Sequence, residues 1–145
     1  MLSRQLSVVL AGVKTEELSQ LELVLLIKKG FALGSLKAML EMSTLYSSRQ
    51  ILTRIMGKSI RTLRRMEAQK GVVLLNEYQS AVALQYALAL ERATSTFGTQ
   101  RLAENWLEKP CSQLSGEIPL EMLGNLWGYR LVVSYLDRVV LGVYQ

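Results

Sequence analysis

Between Asn76 and Gly98 the chain holds a stretch that leaves the fold little choice. From Ala81 to Leu90 it is apolar almost without interruption, Gln85 being the exception. Alanine and leucine at this density favour helix, and apolar residues at 78, 82, 86, 90, 93 and 97 recur at helical spacing. A helix apolar on nearly every side must be covered from several directions, so other helices have to surround it. Asn76 is placed to cap it and Gly98 to end it. From Glu77 to Phe97 it runs about 31 Å, enough to join two lobes. No segment shows strand alternation, and an all-α fold is expected.

The remaining elements follow from caps and punctuation. Thr15 to Lys29 reads as a helix, with Glu16 and Glu17 at its positive end, Lys28 and Lys29 at its negative end and Gly30 as its stop. Leu18, Leu21, Val24 and Leu25 form its expected buried stripe. Ser35 opens a helix to about Met42. Ser48 caps one to Met56, and Ser59 caps one from Ile60 to about Gln69. Thr99 caps a helix over Gln100–Glu108, stopped by Pro110. Pro119 begins a short one to about Asn125, and Gly128 to Leu141 form the last.

Composition excludes several function classes. The chain of 145 residues has no histidine and one cysteine. Metal sites need clustered His, Cys or carboxylate ligands, so none is expected, and no cofactor either. Cys111 cannot form an internal disulfide and reads as a loop filler, which suits a reducing cytoplasm. The carboxylates and lysines are scattered, with no pair spaced for acid–base work, so no catalytic residue is assigned. Leu6 to Val13, following Arg4, has the length of a signal-peptide core but lacks a small-residue cleavage site and runs into Lys14, Glu16 and Glu17. The uncharged run from Tyr78 to Leu90 is short of the about 18–20 residues a span needs. A cytoplasmic chain with no membrane partner is expected.

Charge is unevenly placed. Residues 1–90 hold twelve Lys and Arg against six Asp and Glu, whereas residues 91–145 hold five against six. The basic excess therefore lies in the front part, as expected where one half meets a polyanion. Within it, Arg49 to Lys70 carries seven Lys and Arg and one acid, Glu67. That stretch reads as a helix-turn-helix: Leu52, Met56, Leu63 and Met66 occupy the apolar positions and Gly57 the turn. Lys58 stands where an aliphatic residue is usual, and Thr53 where a smaller one is. The second helix would enter the major groove by its N-terminal part. Lys58, Ser59, Arg61, Thr62, Arg64 and Arg65 are its candidate DNA contacts, Arg61 and Arg65 for base edges and the others for phosphate.

Beyond Gly98 the chain has material for a small helical lobe, with Trp106, Leu114, Leu120, Leu123 and Leu136 as core. It also carries Trp127, Tyr129, Leu131, Val143 and Tyr144, more apolar surface than so small a lobe can hide, which marks an interface.

The run Phe97-Gly98, Trp106-Leu107, Pro110, Leu114-Ser115-Gly116, Ile118-Pro119-Leu120, Leu123, Gly128, Val132, Leu136 and Gly142-Val143-Tyr144 resembles the toxin-binding domain of the Xre/MbcA/ParS antitoxins. Gly57 to Arg65 is similar to the helix-turn-helix of the same family. The resemblance implies an Xre-like helix-turn-helix domain over 1–76, a connecting helix over 77–97 and a toxin-binding domain over 98–145. It implies a bacterial type II antitoxin whose partner is a RES-domain toxin that degrades NAD or transfers its ADP-ribose. The front domain would self-associate into a homodimer and bind operator DNA to repress the operon. The C-terminal end would obstruct the toxin's active site. By that resemblance the toxin-binding residues are Gly142, Val143, Tyr144 and Gln145 as the plug, with Trp127, Arg130, Leu131 and Arg138 on the exposed face of the final helix. Cys111, Ser115 and the pair Leu126-Trp127 depart from the family pattern, and Trp127 would be an anchor private to one partner. The alternative reading is a helix-turn-helix transcriptional regulator whose C-terminal lobe only dimerises.

Overall fold

A computed structural model describes residues 5–142. Among them are nine α-helices, two short 3-10 turns and no strand. The helices are α1 (Leu6–Ala11), α2 (Gln20–Lys29), α3 (Leu33–Leu40), α4 (Arg49–Met56), α5 (Ile60–Glu67), α6 (Glu77–Phe97), α7 (Gln100–Leu107), α8 (Pro119–Met122) and α9 (Leu126–Val140). The all-α expectation holds. The chain folds as two compact units, Met1–Leu84 and Gln85–Gln145, so the boundary falls inside α6.

In the first unit α1 packs on α3, burying Leu6 and Leu10. The apolar run that has the length of a signal-peptide core is thus a short helix, with Gly12 closing it in the left-handed conformation. Leu36, Met39, Tyr46, Ile55 and Leu63 are fully enclosed and form the centre of the unit. The first two turns of α6 enter this core through polar ties. Asn76 and Gln79 cap each other's backbone N–H, with Gln79 N to Asn76 Oδ1 at 2.7 Å. The Gln79 amide then donates to the Met56 carbonyl at 2.8 Å. Ser80 Oγ accepts from the Phe31 N–H at 3.1 Å. These bonds satisfy polar groups that burial would otherwise leave stranded.

Residues 31–33 and 73–75 run antiparallel for one bridge, Ala32 to Leu74, with Leu75 N–H donating to Phe31 O and Leu33 N–H to Val73 O, both at 2.8 Å. Gly30 enters this contact at φ +92°, and a Cβ there would lie 2.2 Å from the Leu75 carbonyl oxygen. Only glycine meets both requirements.

Two expectations for the front half need correction. The helix does not begin at Thr15: Thr15–Glu17 is a single 3-10 turn, and the α-helix starts at Gln20. Ser19 caps it, accepting from Glu22 N–H at 3.1 Å while Glu22 accepts from Ser19 N–H at 2.9 Å. That reciprocal box satisfies two orphan donors at once and outcompetes a cap at Thr15. The expected buried stripe is also not buried. Leu18 is half-buried, while Leu21, Val24 and Leu25 are 66 %, 48 % and 56 % exposed. Periodicity marked the apolar face correctly; nothing in the described chain covers it.

Ser48, Ser59 and Thr99 cap α4, α5 and α7 as expected, and α6 has the expected limits. α3 begins at Leu33 rather than Ser35. α9 begins at Leu126 rather than Gly128, because Asn125 Oδ1 accepts from both Trp127 N–H (2.8 Å) and Gly128 N–H (3.2 Å).

Candidate nucleic-acid and partner-binding surfaces

The basic stretch of the first unit forms two eight-residue helices, α4 and α5, joined by Gly57, Lys58 and Ser59. Gly57 caps α4 at φ +64°, the left-handed conformation that costs glycine least. Ile51, Leu52, Ile55 and Met56 of α4 and Leu63 of α5 are buried. α5 is consequently divided along its length. Leu63 faces the core, and Arg61, Arg64 and Arg65 face outward with Lys58 from the turn. None of these four cations enters an ion pair among the described residues. Ser59 and Thr62 are committed to the helix start: Ser59 Oγ accepts from Thr62 N–H at 3.2 Å and lies 3.1 Å from Thr62 Oγ1.

The single acid of the stretch serves a different purpose. Glu67 accepts from both Arg49, at 2.6 Å, and Lys37. It therefore ties the end of α5 to the start of α4 and to α3. Hydrogen bonds from Arg49 and then Lys37 hold its carboxyl down to about 2, well below the usual range. The one acid between Arg49 and Lys70 is thereby engaged by Arg49 and Lys37 rather than by the outward arginines.

In the second unit α7, α8 and α9 pack in succession. Ala93, Ala103, Leu107, Leu123, Val132 and Leu136 are fully enclosed. Phe97 and Trp106 meet at 5.5 Å between ring centres, and Trp106 stacks on Tyr135 at 5.5 Å and 1° between planes. These aromatic contacts tie the end of α6 to α7 and α9. Arg92 of α6 pairs with Asp137 of α9, and Gln85 Nε2 donates to the Leu123 carbonyl at 2.8 Å. Cys111 is buried in a turn closed by its own N–H to Glu117 O at 3.0 Å, a filler role. Gly128 of α9 packs against the end of α8: a Cβ there would lie 2.3 Å from the Met122 carbonyl oxygen.

That close approach fixes what α9 displays. With Val132 and Leu136 inward, Trp127 (73 % exposed) and Leu131 (47 % exposed) point out. The Arg130 guanidinium lies 5.4 Å from the centre of the Trp127 ring, a cation–π contact that pre-positions both groups. Arg138 is exposed further along the helix. Tyr129 is half-buried, and loss of solvent raises its hydroxyl's pKa. Gly142, at φ +76°, turns the chain out of the helix. Val143, Tyr144 and Gln145, expected in the plug, lie outside the described residues.

Residues 92–139 match the family model of the antitoxin Xre/MbcA/ParS C-terminal toxin-binding domain. The second unit carries a toxin-binding domain. The match opens at Arg92, so the domain takes in the end of α6, including the side chain that pairs with Asp137. A search of curated proteins found no match to the chain. The toxin-binding domain marks an antitoxin of a toxin-antitoxin system. Among the described residues no helix is long and apolar enough to cross a membrane.

The second unit also exposes Leu126, Val140 and Leu141, apolar residues not expected at the partner surface. Val140 and Leu141 border a groove of about 500 Å³ with Arg92, Ser95, Thr96 and Asp137. The signal available in the sequence was the apolar triplet Val139-Val140-Leu141, three successive positions of which one helix face can bury only some.

Proposed function

We propose that this antitoxin neutralises a RES-domain toxin, an enzyme that degrades NAD or ADP-ribosylates, by laying the outer face of α9 on the toxin and obstructing its active site with residues 142–145. The observation that carries this reading is the Trp127–Arg130–Leu131 face. An indole three-quarters in solvent, with a guanidinium stacked on it, is a poor surface for water and a good one for a partner. Aromatic and arginine side chains are the residues that dominate binding energy at protein interfaces. No chemistry of the antitoxin's own is involved: a folded domain across the substrate entrance excludes NAD sterically.

The same protein acts in the cytoplasm as a homodimer and represses its operon through α4 and α5. Lys58, Arg61, Arg64 and Arg65 supply the cationic face, and two copies would meet half-sites about one helical turn apart. The unpaired cations on α5 support this reading, as does the apolar packing of Leu52, Met56 and Leu63 beneath them.

Co-expression with a RES-domain toxin tests the proposal. Cells should keep their NAD pool and grow, and the two chains should copurify. A chain that leaves the toxin active and does not copurify with it sinks the reading. Gel shifts at two salt concentrations then separate an operator-binding antitoxin from one that binds toxin alone, because phosphate contacts weaken steeply with salt.

A further inference from the structure

Helix α2 is built the wrong way round for a surface element. Six of its ten residues are Leu, Val or Ile, yet none of the ten is buried. The capping box at Ser19 and Glu22 starts the helix, and Leu23, Leu26 and Ile27 half-bury its opposite face. Leu21, Val24, Leu25 and Lys28 lie on one face, with Glu22 and Lys29 together along one flank of it. Lys28 and Lys29 form no ion pair among the described residues. Gly30, at the helix end, abuts Leu74, which is itself half exposed.

This face is complementary to itself. When two copies of α2 are set antiparallel about a two-fold axis between Val24 and Leu25, Val24 of each meets Leu25 of the other. Leu21 then meets the aliphatic stem of Lys28, which carries its ammonium past the contact to water. In an antiparallel pair, like flanks face each other. Glu22 and the second copy's Lys29 are thereby offset by about 3 Å along the axis at 1.5 Å per residue, within reach of two long side chains. The pairing occurs twice, once on each side of the axis, as an isologous interface requires. The helix dipoles also oppose. A parallel pair would instead set this flank against the opposite one, and Glu22 would lose its lysine.

We infer that the exposed face of α2 is the dimer interface, occupied by α2 of a second copy of this chain running antiparallel. The inference deepens the homodimer of the proposed function and rests on that part of it alone.

Sedimentation of the full chain tests it, with circular dichroism confirming the fold of each variant. The wild type should be dimeric at micromolar concentration, and Leu25→Glu should be monomeric with the same helical content. Glu22→Lys and Lys29→Glu should each dissociate on the order of tenfold more readily, because each places like charges opposite in its own dimer. An equimolar mixture of the two should recover association as a heterodimer. There the introduced lysine of one chain faces the introduced glutamate of the other, and the unaltered Glu22 and Lys29 face each other across the second contact. Recovery distinguishes a directed antiparallel pair from general stickiness. A monomeric wild type, a dimeric Leu25→Glu or a mixture no tighter than its components each overturns the assignment. Toxin capture by the same samples keeps the readings apart: a monomer that still captures toxin refutes the α2 interface and leaves the antitoxin reading intact.

Discussion

Trp127 and Gly128 are neighbours in the chain with opposite duties. Trp127 contributes almost nothing to the core, since most of it is in solvent and its indole carries Arg130. Trp127→Ala should therefore leave thermal unfolding unchanged while weakening toxin capture by about 2 kcal/mol, roughly thirtyfold in Kd. A titration of the variant against toxin checks it, and unaltered affinity would remove α9 from the interface. Gly128→Ala should do the reverse. Its added methyl meets the Met122 carbonyl at 2.3 Å, a backbone atom that cannot swing aside. The α8–α9 junction must open, at a cost of about 1–3 kcal/mol, readable as a lower urea midpoint with the slope retained. The sequence showed that so small a lobe cannot hide all of Trp127, Tyr129 and Leu131. It did not show that Gly128 marks a backbone contact, because closeness to a residue six positions earlier is set by the turn, not by composition.

At the scale of elements, α5 is both presented and held. Glu67 holds it, and its stabilising effect depends on pH in a definite direction. With its folded pKa near 2 against an ordinary 4.5, the tie is fully in force above pH 4.5 and is lost as the pH falls toward 2. The unscreened shift corresponds to about 3 kcal/mol. Lys37 and Arg49 are each about two-fifths exposed, so solvent reduces the expected contribution to about 1 kcal/mol. Glu67→Gln should lose that amount at pH 7 and show a flatter decline between pH 5 and 3 than the wild type; parallel declines in urea titrations would dismiss the tie.

Presentation is tested separately. Arg61→Ala and Arg65→Ala should each weaken operator binding by about 1–3 kcal/mol, and a variant pair that represses normally would take α5 out of the groove. The caps at Ser48, Ser59, Asn76 and Thr99 were legible because a side chain three residues from a backbone N–H is a local matter. Helix α1 was not, since six residues between Gln5 and Gly12 are below the length at which periodicity can be counted. The outer face of α2 was legible as apolar and misread as buried, because spacing names a face and not what lies against it.

Across the whole molecule the two surfaces are drawn from separate compact units, and their chemistry differs as the charge division of the sequence requires. The basic face of α5 stands on a core closed by Leu63 and Met56. The α9 face stands on Val132 and Leu136. Among the described residues, removing 142–145 takes away one backbone bond, Gly142 N–H to Val139 O. The truncated chain should therefore melt as the wild type does and shift operator DNA with the same salt slope. It should still copurify with toxin through Trp127 and Leu131. Neutralisation is what it should lose, since a toxin held by α9 with its entrance open can still consume NAD. Growth and NAD content of cells co-expressing toxin with the truncated chain decide the matter: arrested cells around an intact complex support the plug, and full protection by the truncated chain shows that α9 alone closes the site.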